Sequence, residues 1–180
     1  MKINVTERGV TLLITLLLMG VLLGVGASLL SITLKQYQLA GIAYSSEMAF
    51  QSATAGMECA LYHDFPKSGV SPFDVGETVG DMTCMGVSDA VAGAVGTITS
   101  GEEQRYQFSW GAPEVCSEVS IYKYFSDSAN VNYTINGTNK SCPQNSSCTV
   151  VKARGYNVSC GAVNAGTNPR VVEREYTQVY

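Results

Sequence analysis

Cysteine is the residue type in this 180-residue sequence whose number and position most clearly indicate chemistry. The six cysteines all follow a long apolar segment near the N-terminus, and they are Cys59, Cys84, Cys116, Cys142, Cys148 and Cys160. An even number of thiols beyond a membrane predicts up to three disulfides, whereas the same number in a reducing cytosol indicates metal binding or catalysis. Zinc is disfavoured because there is no C-x-x-C pair and His63 is the single histidine. We therefore expect disulfides.

Six cysteines allow fifteen pairings, and the sequence leaves the choice between them open. Cys142 and Cys148 flank five residues and could close a small loop. Cys59, near the end of a predicted helix, could pair with Cys84, which leaves Cys116 with Cys160. Cys148 and Cys160 are read as lying in one strand, where they would be about 40 Å apart and unable to bridge each other unless Gly155 bends that strand.

No other residues group in a way that predicts catalysis, so we expect no enzyme, no cofactor and no metal. His63 stands near a predicted helix end, where a histidine more often contacts the last carbonyl groups than performs chemistry. Four acids follow in one stretch without the spacing of a calcium loop, and we interpret them as solvated loop acids rather than calcium ligands. They are Asp64, Asp74, Glu77 and Asp81.

Two further patterns bear on partners and on modification. The net charge of -4, without a cluster of Lys or Arg, argues against direct binding of nucleic acid. Asn-x-Ser/Thr triplets arise readily in a segment rich in Asn, Ser and Thr, and they matter only where the host glycosylates proteins. Five asparagines begin such a triplet: Asn132, Asn136, Asn139, Asn145 and Asn157.

The N-terminal segment is the element that decides where this chemistry takes place. No charged residue occurs from Val10 to Leu34, and a helix of that length spans about 37 Å, enough to cross a hydrocarbon core of about 30 Å. Lys2 and Arg8 precede the segment with one offsetting Glu7, a slight bias that favours a cytoplasmic N-terminus and an extracytoplasmic head.

Three interpretations of this segment compete. One is a secretory signal peptide cut after Ala27, although the apolar run continues past that point through Leu34. Another is a plain single-pass anchor. The third is a prepilin, because Glu7-Arg8-Gly9-Val10-Thr11-Leu12-Leu13 resembles the signal that prepilin peptidase reads. That resemblance implies cleavage between Gly9 and Val10, with methylation of the new Val10 amine.

A second stretch strengthens the resemblance to the type IV pilin and pseudopilin superfamily. Residues 48–57, MAFQSATAGM, are similar to the "AFQAAEAGL" region of PilX-type minor pilins and lie at a similar distance after the apolar segment. The resemblance covers residues 7 to 62 only. Most pilins carry Glu at the fifth position after the cut, where this chain has Ile14. That difference implies a minor pilin or a pseudopilin at a filament tip rather than a major subunit.

The periodicity downstream predicts that the helix continues beyond the membrane. Apolar and small residues recur at spacings of three and four, and Pro66 predicts an end between Tyr62 and Asp64. This predicted stripe consists of Leu39, Ala43, Ser46, Phe50, Ala53, Met57 and Ala60. We therefore divide the chain into a leader (1–9), a transmembrane segment (10–34), an amphipathic helix (35–63) and a β-rich head (64–180).

The head has strand signals after a Gly-rich stretch, 66–102, that we expect to be irregular. Alternation predicts strands at 104–110 and at 115–125, the latter with Val119, Ile121 and Phe125 on one face and Lys123 as an exception. We expect further strands at 132–135, 148–160 and 170–180. The predicted fold class is α+β, a pilin-like long N-terminal helix packed against an antiparallel sheet.

The expected function is that of a structural subunit that primes, caps or decorates a type IV pilus-like filament. Its partners would be other pilin subunits through the N-terminal helix, prepilin peptidase, the inner-membrane assembly machinery and the lipid bilayer. It would be stored as a single-pass protein of the cytoplasmic membrane, with its head outside, and then move to the cell surface or pilus. The alternative is a permanently anchored surface protein whose head binds a ligand and never enters a filament.

Overall fold

A computed structural model of the chain describes the backbone of residues 5–65, 69, 71–78, 82–89, 99–111, 113–127, 129–135, 137–166 and 170–180, and the side chains of all of these except 5–9, 88 and 89. One helix, α1, runs from Val5 to Asp64. It is uninterrupted because no proline occurs before Pro66, which itself lies outside the described residues. The helix end at Asp64 confirms the predicted boundary. The chain forms two compact units, Met1–Tyr44 and Ser45–Tyr180.

The second unit is a mixed α+β head with antiparallel pairing throughout. Its main sheet has four strands in the order β3-β4-β7-β8, and two hairpins, β1-β2 and β5-β6, form separate two-stranded sheets. The strands are β1 (Met82–Cys84), β2 (Val87–Asp89), β3 (Glu103–Trp110), β4 (Val115–Ser126), β5 (Val131–Ile135), β6 (Thr138–Cys142), β7 (Ser146–Tyr156) and β8 (Glu173–Val179). A short helix, α2, spans Cys160–Ala165.

The core of the head lies between the main sheet and residues 45–64 of α1. Alternate residues of the central strands point toward the helix, including Tyr106 of β3, Val119 of β4 and Ala153 of β7, and all three are fully buried. They pack with Met57 and Ala60 of α1 in one cluster. This arrangement confirms the predicted packing of a helix on an antiparallel sheet.

The predicted stripe on α1 is correct only in its second half. Ala53, Met57 and Ala60 are buried, but Leu39 and Ala43 are exposed, as is Phe50. The observed buried face also includes Ala49, Ser52 and Gly56. Apart from Met57, this buried face is made of small residues, because the helix backbone lies almost against the sheet.

Two glycines allow this close approach. A Cβ atom on Gly155 of β7 would overlap the α1 backbone at Ala49 and Ala53, coming within 3.0 Å of the Ala53 Cα. A Cβ on Gly56 of α1 would come within 2.9 Å of a Val119 methyl carbon. Strand β7 runs unbroken from Ser146 to Tyr156, so Gly155 does not interrupt it. The role of Gly155 is to make room for the helix backbone.

Three strand predictions need correction. The segment 148–160 is not one strand, because β7 ends at Tyr156 and Cys160 begins α2. The last strand begins at Glu173 rather than at residue 170. The stretch 66–102, which the sequence predicts to be irregular, contains the β1-β2 hairpin. This hairpin turns at Met85 and Gly86, and both residues have a positive φ. Residues 90–98 of that stretch lie outside the described residues.

Candidate functional site: the apolar N-terminal helix and the cross-linked head

The first functional surface is the apolar part of α1. Every side chain from Val10 to Tyr44 is exposed, including Leu23 at 73%. Over 10–34 this surface carries no charge. A continuous apolar surface of this size requires cover by lipid or by protein. By length and composition α1 is able to cross a membrane, a test that a signal sequence near the N-terminus also passes.

Hydroxyl groups within this surface are bonded to the helix itself. Thr15 Oγ1 donates to Leu12 O at 2.9 Å, and Ser28 Oγ donates to Gly24 O at 2.9 Å. Thr33 does the same to the carbonyl of Leu29. Because these donors are satisfied within the segment, they can enter an apolar environment without the cost of an unpaired polar group.

The residues of the predicted prepilin site all lie in α1. The Gly9–Val10 bond is within the helix, which begins at Val5. Ile14 is exposed one turn after Val10 and presents an alkyl side chain. Cleavage and methylation at Gly9 and Val10 stay predictions.

The six cysteines form three disulfides in the structure. Cys59 pairs with Cys84, Cys116 with Cys160, and Cys142 with Cys148. These are the pairs that the sequence favoured. Each one joins two elements: α1 to β1, β4 to α2, and β6 to β7. The disulfides therefore link these elements covalently, in addition to the packing of the core.

A buried ion pair joins the end of α1 to β4, an inner strand of the main sheet. Lys123 Nζ lies 2.7 Å from Asp64 Oδ1 and 3.3 Å from Asp74 Oδ1. The exposed fractions of the Lys123 and Asp64 side chains are 8% and 1%. Asp64 is therefore not a solvated loop acid, and Lys123 is a buried member of its strand face rather than an exception. Phe125, predicted on that face, is exposed instead.

Asp64 also accepts two hydrogen bonds from hydroxyl groups. Ser71 Oγ donates to Asp64 Oδ1 at 2.6 Å, and Tyr180 Oη donates to Asp64 Oδ2 at 2.6 Å. Burial, with the bond to Asp64 as a second cause, holds the pKa of Tyr180 well above its usual value. The cluster joins the helix end, β4, the 71–74 segment and Tyr180.

The sequence held a signal for this cluster that pattern analysis did not use. Lys123 occupies an inward position of a strand whose neighbouring inward residues, Val119 and Ile121, are apolar. A lysine at such a position requires a carboxylate partner. Asp64 at the end of the helix supplies it.

The opposite face of the main sheet carries a second charge network. Arg154 Nε lies 2.9 Å from Glu175 Oε2, and Arg154 Nη1 lies 3.4 Å from Glu118 Oε1. Gln107 Nε2 donates to Glu118 Oε2 at 2.7 Å. The hydrogen bond to Glu175 is the main cause that raises the pKa of Arg154. Arg154 thus links acidic residues of β4 and β8 across the outer face of the sheet.

The other residues considered for chemistry are His63 and the acids that follow α1. His63 Nε2 lies 3.0 Å from Thr83 O, so the imidazole contacts the β1 strand rather than the last carbonyl groups of α1. The backbone amide of Ser71 donates to Asp74 Oδ2 at 3.3 Å, and Glu77 is exposed. Asp81 lies outside the described residues. Within the described part of the chain, no three His, Cys, Asp or Glu side chains converge as metal ligands.

The asparagine triplets occupy different environments. Asn132, Asn139 and Asn145 are exposed, and Asn145 has a positive φ of 56° in the β6-β7 turn. Asn157 is held by Val172 N, which donates to its Oδ1 at 2.7 Å. Asn136 lies outside the described residues.

Comparison of the chain with protein-family models, characterised proteins and solved structures finds no match.

Proposed function

We propose that this chain is a minor pilin or pseudopilin, a membrane-stored subunit that primes, caps or decorates a type IV pilus-like filament. The observation that carries the proposal is the single helix α1. It begins at Val5, contains the Glu7-Arg8-Gly9-Val10 sequence in its first turns, continues through an exposed uncharged segment, and ends at the buried Asp64 of a disulfide-linked head. The resemblance to the prepilin signal and to the PilX-type region supports the same proposal.

The apolar segment explains how such a subunit would be stored and assembled. In the bilayer, lipid covers the surface of residues 10–34; in a filament, the helices of other subunits cover it instead. Gly20 and Gly24 have the spacing at which two helices approach closely, and a Cβ on either would meet open space. Assembly therefore exchanges lipid contacts for helix contacts without exposing the segment to water.

Ile14 supports a minor position over a major one. In the superfamily that this sequence resembles, a Glu at this position is thought to pair with the N-terminal amine of a neighbouring subunit. An isoleucine offers no charge for that pairing. We propose that the chain occupies a tip or an occasional position, and that its partners are other pilin subunits, prepilin peptidase and the assembly machinery of the cytoplasmic membrane.

The N-terminus of the mature protein, isolated from its native cells and read by peptide mass spectrometry, tests the proposal. The expected result is a chain that begins at N-methylated Val10. A Gly9→Val variant should retain Met1, because a side chain at the cut site blocks the peptidase, whereas a Gly20→Val variant should still be cut. An intact Met1 in the unsubstituted protein indicates a permanently anchored binding protein, and a start at Ser28 indicates a secreted one; either result overturns the proposal.

Filament incorporation is the second measurement. Filaments sheared from the cells should contain the processed chain at a small fraction of the main subunit, and the Gly9→Val variant should be missing from them. A processed chain that never appears in sheared filaments contradicts the proposal.

A further inference from the structure

Strand β8 forms an open edge of the main sheet. It pairs with β7 on one side, and no strand among the described residues pairs with its other side. The opposite edge differs, because the β1-β2 hairpin lies beside β3 through β2. An open edge presents a row of main-chain donors and acceptors to any extended chain that reaches it.

The hydrogen bonds between β7 and β8 identify the outward residues. Thr149 and Tyr180 exchange both main-chain bonds, at 2.7 and 3.1 Å, and Asn157 N donates to Val172 O. Because bonded and non-bonded pairs alternate along an antiparallel ladder, the even-numbered residues of β8 bond to β7. The N–H and C=O groups that point away from the sheet are those of Glu173, Glu175, Thr177 and Val179.

An apolar groove of about 340 Å³ lies alongside this edge, between β8 and α1. Its aromatic residues, Phe50 and Tyr176, are 52% and 48% exposed. Strand residues 176 and 178 face the helix, so a strand added next to β8 would direct alternate side chains onto the same flank of α1. The groove is lined by Phe50, Thr54, Met57, Glu58, Leu61, Tyr176 and Gln178.

Charge is distributed unevenly along the edge. Glu173 and Glu175 lie within 3.6 and 2.9 Å of Arg154, and Arg174 Nη2 donates to Ser46 Oγ at 2.7 Å. The following residues, Tyr176 to Val179, carry no charge. Natural edge strands are commonly protected from pairing by charged side chains, and this half of β8 lacks that protection. Among the described residues that line the groove, Glu58 is the single charged one.

We propose that β8 and the adjacent groove bind an extended peptide segment of another protein as a fifth strand of the main sheet. The main chain of the segment would bond to Thr177 and Val179, which supplies affinity without sequence selectivity. Apolar side chains at alternate positions of the segment would enter the groove beside Phe50 and Tyr176, and a Lys or Arg would lie against Glu58. This inference rests on the head alone, and it goes beyond the proposed role of the apolar helix in a filament.

The test uses the full-length chain in lipid nanodiscs and a displayed library of random heptapeptides. We expect the selected peptides to alternate apolar residues and to carry Lys or Arg, in contrast to peptides drawn at random. Thr177→Pro should weaken their binding at least about tenfold, because it removes one outward donor and places a ring against the incoming strand. Thr177→Val keeps the amide and should bind normally.

Folding of the variants is controlled independently. A proline is tolerated at an edge position whose amide points to solvent, and the far-ultraviolet circular dichroism of Thr177→Pro should match that of the parent chain. Phe50→Ser, on the exposed flank of α1, removes an aromatic side chain from the groove and leaves β8 unchanged. It should weaken the same peptides by a similar factor, and Glu58→Gln should weaken those that carry Lys or Arg.

Three outcomes overturn the proposal. The first is a selection that yields no peptide above background. Selected peptides that bind Thr177→Pro as well as Thr177→Val would indicate a helix or a loop in the groove rather than an added strand. Self-association of the chain that Thr177→Pro abolishes, without any peptide binding, would assign the edge to a second copy of this chain.

Discussion

Lys123 Nζ and Asp64 Oδ1 lie 2.7 Å apart in the interior of the head, so the end of α1 is joined to the C-terminal part of β4 by a buried ion pair. Removing one member of such a pair leaves an uncompensated charge away from water, which costs about 3–5 kcal/mol. Surface ion pairs contribute far less, because water screens them. The pair therefore makes the docking of the helix end sensitive to a single substitution.

Lys123→Met should lower the free energy of unfolding by about 3–5 kcal/mol, because Met fills the space but leaves Asp64 charged. The double variant Lys123→Met/Asp64→Asn should recover most of the loss, since the amide keeps an acceptor for Ser71 or Tyr180 without the charge. Urea unfolding of the detergent-solubilised chain measures both. Lys140→Met, on exposed β6, is the control and should change stability by less than about 0.5 kcal/mol. Equal effects at positions 123 and 140 would contradict the role of the buried pair.

Tyr180 predicts how stability depends on alkaline pH. Its folded-state pKa is raised by burial and by Asp64, while the unfolded-state pKa is about 10. A raised pKa stabilises the fold below the unfolded value, and that contribution is lost as the pH rises above about 10. Tyr180→Phe removes the hydrogen bond to Asp64 and should lower the free energy of unfolding by about 1 kcal/mol at neutral pH. Above pH 10 the stability of this variant should decline less steeply than that of the parent chain. Melting temperatures measured from pH 7 to 11 test this prediction, and Tyr62→Phe, at an exposed position, is the control. If the melting temperatures of Tyr180→Phe and of the parent chain fall in parallel above pH 10, the prediction is refuted.

Gly155 and Gly161 predict opposite responses to the same substitution. Gly155→Ala places a methyl group against the α1 backbone and should destabilise the head by about 3 kcal/mol or more, since backbone cannot move aside as a side chain does. Gly161→Ala places a methyl group in open space within α2 and should be neutral or stabilising by up to about 1 kcal/mol. Chemical denaturation of the two variants provides the comparison. A tolerated alanine at position 155 would show that the helix does not lie this close to β7.

The three disulfides should differ in their contribution to stability according to the chain that each one closes. Cys116–Cys160 spans 44 residues and Cys142–Cys148 spans 6. By loop-closure entropy their removal costs about 4 and about 2 kcal/mol. Paired substitutions to alanine, compared by urea unfolding, test the order. A larger loss for the short loop would indicate that local strain, rather than chain entropy, governs these bonds.

The sequence by itself determined the long helix and its end, because an uncharged apolar run and the absence of proline before Pro66 depend on local residues alone. The strands β3 and β4 followed from alternation in the same way. The cysteine pairs were favoured but not selected among fifteen alternatives, since pairing depends on distances through space. The alternation of β4 indicates an inward position for Lys123, but only the tertiary structure identifies its partner, because Asp64 is 59 positions earlier in the chain.

The edge of β8 also lay beyond the sequence. The sequence of residues 173–179 does not indicate which strand they pair with or which of their amides face outward. Both follow from the register of β8 with β7. The small residues on α1 looked like an ordinary amphipathic stripe, and only the position of Gly155 beneath Ala49 and Ala53 shows that the buried face follows the closest backbone approach. Local sequence fixes periodicity, whereas burial depends on what packs against it.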